Sequence, residues 1–127
     1  MNKINLTEHF NLSEFECHDG SHLVKLDERL IELLQTLRNT LKCPIRINSG
    51  FRTLQYNEFI GGSPTSQHLD GRAADIQVEG YMPEEVYVLA KKIGFDGIGL
   101  YNTFVHVDVR GTKVNWIDKS YAEKKKI

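Results

Sequence analysis

The sequence predicts an α+β fold: a single domain with an antiparallel sheet, helices packed on one of its faces and a groove on the other. Three observations point there. A leucine stripe of helical period runs through the first third of the chain, short alternating apolar segments follow it, and turn residues separate the segments.

Taken in order, Phe10 to Cys17 reads as a short helical turn capped by Asn11 or Ser13. Leu26, Leu30, Leu33, Leu34, Leu37 and Leu41 recur at spacings of three and four, which makes one apolar face of a helix from about Asp27 to Leu41. That stripe is read as core. Pro44 to Asn48 alternates as a strand and is closed by Ser49-Gly50. Thr53 is placed to cap a short helix through Ile60, which Gly61-Gly62 ends. Ser63 to Gln67 is polar and turn-rich, hence a loop. Ala73 to Val78 reads as a strand with Ala74, Ile76 and Val78 facing inward. Pro83 suits a first helical position and Gly94 a stop after Lys91-Lys92. Ile98 to Tyr101 and Phe104 to Val109 are predicted as two strands joined by Asn102-Thr103. The chain has no internal repeat or linker-like tract, so residues 1–127 are expected to form one domain, with a core at about 9–116 and a tail at 117–127.

With 127 residues the chain has room for one hydrophobic core. A formal charge of -1 provides no general attraction to nucleic acid or to anionic membranes. Lys124-Lys125-Lys126 is read as a solvated, frayed tail. No apolar run reaches the ~20 residues that a membrane-spanning helix needs, and the N-terminus lacks the apolar segment of a secretory signal. Synthesis in the cytoplasm is the corresponding expectation, with Cys17 and Cys43 kept as thiols there; a disulfide between them cannot be decided from sequence.

Chemistry is concentrated in one constellation. His68 and Asp75 stand seven residues apart, and His106 follows downstream. Two imidazoles and a carboxylate are the ligand set of a catalytic zinc site, which leaves a fourth position open to water. Strand alternation puts Ala73, Asp75 and Gln77 on one face, and Phe104, His106, Asp108 and Arg110 on one face of the later strand, each opposite an apolar row. His68 reaches the same groove from the preceding loop, where Gly71 permits a tight return. A lone strand histidine is more often structural than a ligand, so spacing alone leaves that alternative standing. A second grouping, Cys17, His18, His22 and His9, falls in a loop without ligand pairs at zinc-finger spacing and is read mainly as polar loop.

The pattern Ser-x-His-x-x-Gly-x-Ala-x-Asp, filled by Ser66, His68, Gly71, Ala73 and Asp75, resembles that of the zinc D-Ala-D-Ala carboxypeptidase family, whose fold is shared with the hedgehog signalling domain and several phage lysins. Ser49-Gly50-Phe51-Arg52-Thr53 is similar to the family's Ser-Gly-aromatic-Arg element. Gly97 to Tyr101 with His106-Val107-Asp108 resembles its closing strands and third ligand, and His9 to Phe15 resembles the start of the small single-domain branch. The resemblance spans about His9 to Trp116.

It implies a zinc metallopeptidase acting on peptidoglycan peptides, with one Zn2+ held by His68, Asp75 and His106. Arg52 would bind a substrate carboxylate or carbonyl through its planar fork, and Ser66 and Gln67 would line the substrate groove. Many members carry a Glu or His just before the third ligand; here Tyr101 to Val105 contains neither. Asp108 is then the best acidic candidate for general base, and its rival role is to orient a ligand histidine. Tyr101 would stabilise the oxyanion or pack against the site. The partner expected is peptidoglycan, with no nucleic acid and no membrane, and the protein is expected to be a monomer. Without a signal peptide, action on the wall would follow release in phage or prophage lysis, and recycling of wall fragments inside the cell is the other option. The competing expectation is a zinc-stabilised binding module without hydrolysis.

Overall fold

The computed structural model describes residues 1–124. A 3-10 turn at Leu12–Phe15 is followed by helix α1 (Glu28–Leu41), strand β1 (Ile45–Ser49), helix α2 (Leu54–Phe59) and a second 3-10 turn at Gln67–Asp70. Strand β2 (Ala73–Val78), helix α3 (Pro83–Ile93), strands β3 (Gly97–Leu100), β4 (Val105–Asp108) and β5 (Val114–Ile117), and helix α4 (Lys119–Lys124) complete the order.

Local chemistry accounts for most boundaries. Asn11, rather than Ser13, caps the first turn, and Glu14 reaches back to the Asn11 N–H at 2.7 Å. The Asp27 carboxylate accepts the Arg29 N–H at 2.8 Å to start α1, and Thr53 caps α2 by accepting from Tyr56. Pro83 opens α3 and left-handed Gly94 closes it.

The strands form one sheet in the order β1-β2-β4-β3-β5. Every pairing is antiparallel except β3 with β5, which run parallel. The fold is α+β as expected, and the sheet departs from a purely antiparallel one at that edge. β5 and α4 lie beyond the elements expected from the sequence. Val114 and Ile117 are exposed, so no buried apolar row advertises the strand.

The core lies between the sheet and helices α1 and α3. Leu30, Leu34, Leu37 and Leu41 of α1 and Val86 and Ala90 of α3 pack with Ile45, Ala74, Ile76, Val78, Ile98, Val105 and Val107. Those strand residues are the inward set that alternation predicts. Ile31 joins the buried face of α1, whereas Leu26 and Leu33 are only partly covered. The opposite sheet face carries Asp75 and His106.

Cys17 and Cys43 are free thiols. Among the described residues no helix is long and apolar enough to cross a membrane. Lys125 and Lys126 of the expected basic tail lie outside the described residues.

Candidate metal centre

Sheet register sets the centre. Asp75 of β2 lies directly opposite His106 of β4, so both side chains project from one face at one level. His68 arrives from the 3-10 turn, whose end is Gly71 at φ +68. A Cβ on Gly71 would also strike the Lys25 carbonyl, so only glycine allows this return.

The other support comes from β1. Register slips between Ile47 and Ser49, and the resulting bulge brings Ser49 opposite Asp75. Gly50 then passes so close to the Phe15 backbone that a Cβ would lie 2.7 Å from its Cα. The turn positions the Gly50 carbonyl 2.7 Å from His68 Nδ1.

Those contacts decide where protons sit. A carbonyl can only accept, so His68 Nδ1 carries the hydrogen and neutral His68 presents a bare Nε2. His106 Nε2 lies 2.8 Å from Asp108 Oδ2 and donates to it, which leaves Nδ1 bare. Both bare nitrogens face the same oxygen, Asp75 Oδ1, at 3.3 Å for His68 and 3.2 Å for His106. Burial alone would raise the Asp75 pKa, but the His106 and His68 imidazoles beside it, whenever either carries a second proton, outweigh burial and hold the carboxyl well below the usual range. Three acceptors therefore converge with no hydrogen between them unless an imidazole takes a second proton. Burial would lower the His106 pKa, yet the bonds to Asp108 and Asp75 raise it above the ordinary value, which marks the same demand for a cation.

A metal ion fits that demand. The three ligand atoms lie within 4.8 Å of one another and all three residues are buried. The two edges to Asp75 Oδ1, 3.2 and 3.3 Å, match the ligand–ligand edge of about 3.3 Å in a tetrahedral site with bonds of ~2.0 Å. Among the described residues this is the only such cluster. The N-terminal histidines are not brought together: His22 pairs with Glu16 at 2.8 Å and His9 contacts Gln35 at 2.8 Å.

Arg52 is half-buried beside the centre and donates once from each of its three nitrogens. Nη2 donates to Asp75 Oδ2 at 3.3 Å, Nε to Ser49 Oγ at 3.2 Å and Nη1 to Asn57 Oδ1 at 3.2 Å. Asp108 is fully buried and saturated: it accepts from His106, from the Gly97 N–H at 2.9 Å and from Arg110 Nη2 at 2.7 Å. Burial opposes its ionisation, but the His106 and Arg110 bonds hold its pKa well below the usual range. A Cβ on Gly97 would collide with this carboxylate, which explains glycine at that strand position.

A cavity of about 350 Å³ opens above the centre, lined by Arg52, Ser66, Gln67, Tyr101, Phe104 and Trp116 among others. Ser66 caps the 3-10 turn by accepting from the His68 N–H at 3.2 Å. Gln67 presents a buried Oε1 that no hydrogen-bond donor meets among the described residues. Tyr101 stacks on Phe104 at 4.4 Å between centroids, and its hydroxyl accepts from Trp116 Nε1 at 3.2 Å. Burial raises the Tyr101 pKa, so the phenol keeps its proton.

Two residues here escape sequence reasoning. Trp116 stands 5.1 Å from the His106 ring, delivered by the unexpected β5; being the only tryptophan was its one signal. Asn57 is fully buried and clasps Arg52 while donating to the Ser63 carbonyl at 2.9 Å. It was hidden because α2 turns Leu54 and Phe59 outward and its asparagine inward.

No curated protein matches the chain. The family model for Peptidase M15 matches residues 8–108, a span that includes His68, Asp75, His106 and the Arg52 turn. The chain belongs to the Peptidase M15 family.

Proposed function

We propose that the protein is a zinc-dependent peptidase that hydrolyses peptide bonds of peptidoglycan, either as a D-Ala-D-Ala carboxypeptidase or as a stem or cross-bridge endopeptidase of the lysin type. One observation carries the proposal: two bare imidazole nitrogens and an ionised carboxylate converge within 4.8 Å in a buried site that opens to a substrate-sized cavity.

His68 Nε2, Asp75 Oδ1 and His106 Nδ1 would hold the ion. Bound zinc supplies a polarised scissile carbonyl and a water acidified to a pKa of roughly 7. The protein's own groups do the rest. Gly50 and Asp108 fix the two imidazole tautomers. Arg52 steadies Asp75 and turns its remaining N–H groups to a substrate carboxylate or carbonyl. Tyr101, protonated and already accepting from Trp116, offers its O–H to the developing oxyanion. Ser66 and Gln67 line the peptide's path.

Asp108 is better suited to orienting His106 than to taking a proton. A buried carboxylate with both oxygens engaged and a depressed pKa is a weak base and does not touch the cavity. Asp75 is then the only carboxylate among the residues lining that cavity. That observation favours a second reading, a zinc-stabilised module that binds wall peptides without cutting them.

Elemental analysis of the wild type and His68→Ala, paired with digestion of purified peptidoglycan, separates the readings. About one zinc per chain, absent from the variant, with new amine termini released only by the metal-loaded protein, supports the peptidase. Zinc without cleavage supports the binding module. Absence of stoichiometric metal from the wild type would sink both.

A further inference from the structure

A second cavity, of about 500 Å³, lies at the end of the sheet beside the metal centre. Its lining includes Pro44, Arg46, Gln77, Glu79, Tyr81 and Phe104. Phe104 also lines the cavity above the centre, so the two hollows share one wall. Gln77 is two residues along β2 from Asp75 and on the same face, a step of about 7 Å. Arg46 lies directly opposite Gln77 in the β1–β2 register. The Gln77 amide donates to the Thr103 carbonyl at 2.8 Å, which ties the turn carrying Phe104, the shared wall, to β2.

The charges of this cavity are unspent. Arg46 and Glu79 are exposed, and neither side chain makes an ion pair or hydrogen bond with any described residue. Other charged groups near the groove are engaged: Arg52 with Asp75, Arg110 with Asp108, and Asp75 with both histidines. A hollow with one free cation and one free anion on its wall complements a ligand carrying both charges.

We propose that this cavity is a second subsite of the same groove and takes an amino-acid head, an ammonium with a carboxylate, carried by the peptide substrate about two residues from the bond at the metal. Arg46 receives the carboxylate, Glu79 the ammonium, and Phe104 separates this subsite from the reacting one. The assignment rests on the wall-peptide reading above and adds to it a charge requirement on the substrate.

The test uses full-length zinc-loaded protein and soluble muropeptides that carry a free ammonium and carboxylate, prepared from purified peptidoglycan, with an amine-acetylated sample alongside. Binding is measured by titration calorimetry for the wild type, Arg46→Glu and Glu79→Lys, and hydrolysis of the same muropeptides is followed in parallel. Both positions are exposed, and circular dichroism checks that the variants fold. The expected result is binding weakened about three- to tenfold in each variant. Acetylation should weaken the wild type similarly and leave Glu79→Lys unchanged. Equal binding by wild type and variants overturns the subsite, and hydrolysis by the wild type would then leave the peptidase reading intact. Charge-sensitive binding without hydrolysis keeps the subsite and removes the peptidase reading. Neither binding nor hydrolysis removes both.

Discussion

Asp108 shows how a single residue's role follows from its neighbours. Its carboxylate lies beneath the groove, with His106, Gly97 and Arg110 on its oxygens. Replacing it with asparagine keeps the volume and removes the charge that holds the His106 Nε2–H. Asp108→Asn should weaken zinc binding about 10–100-fold, read by competition with a chromogenic chelator, and saturating zinc should restore much of the activity. A residue acting as general base would behave oppositely, with metal affinity intact and kcat lost. Arg52→Lys tests the neighbouring fork. A point charge cannot reach Ser49, Asn57 and Asp75 together, so KM for wall peptides should rise about tenfold or more while metal content stays near one per chain.

At the scale of elements, glycines on β3 let the last strand close over the site. Gly99 faces the Trp116 indole, and a Cβ there would overlap it. Gly99→Ala should push β5 outward and cost about 1–3 kcal/mol. Denaturation followed by fluorescence checks this cleanly, because Trp116 is the sole tryptophan. Helix α1 and strands β2 and β4 were legible in the sequence because each carries a full apolar row, and α3 because Pro83 and Gly94 mark its two ends. β5 was not. It is an edge strand with exposed Val114 and Ile117, and it exists by pairing in parallel with β3, a contact that no local pattern encodes.

Across the whole molecule, the centre couples folding to pH and, under the proposed function, to metal. His106 has a raised pKa in the metal-free fold, so its contribution to stability is complete below about 6.5 and is lost as pH rises through the raised value. Asp75 and Asp108 are lowered, so their contributions are present above about 3.8 and fade as pH falls toward their depressed values. Metal-free protein should therefore be most stable in mildly acidic solution and lose stability on both sides. Zinc competes with the proton on His106, so it should raise Tm most on the alkaline side, where that proton is absent. Calorimetry from pH 4 to 9 with and without zinc tests this. A zinc-induced rise that is largest in acid would contradict the centre as described. The core should respond independently: Leu34→Ala, at a fully buried position of α1, should cost about 2–5 kcal/mol at any pH.

By itself the sequence determined the fold class, helices α1 to α3, the central strands and the convergence of His68, Asp75 and His106, because apolar periodicity, cap residues and strand alternation are local properties. Tertiary structure alone decided what the neighbouring residues do. The Asp75–His106 register, the β1 bulge that aims Gly50 at His68, the burial of Asp108 and the arrival of Trp116 each depend on contacts between segments distant in the chain. Proton positions in the centre follow from both scales: the Gly50 carbonyl, from the turn after β1, selects the bare nitrogen of His68, whereas Asp108, two residues along β4, selects that of His106.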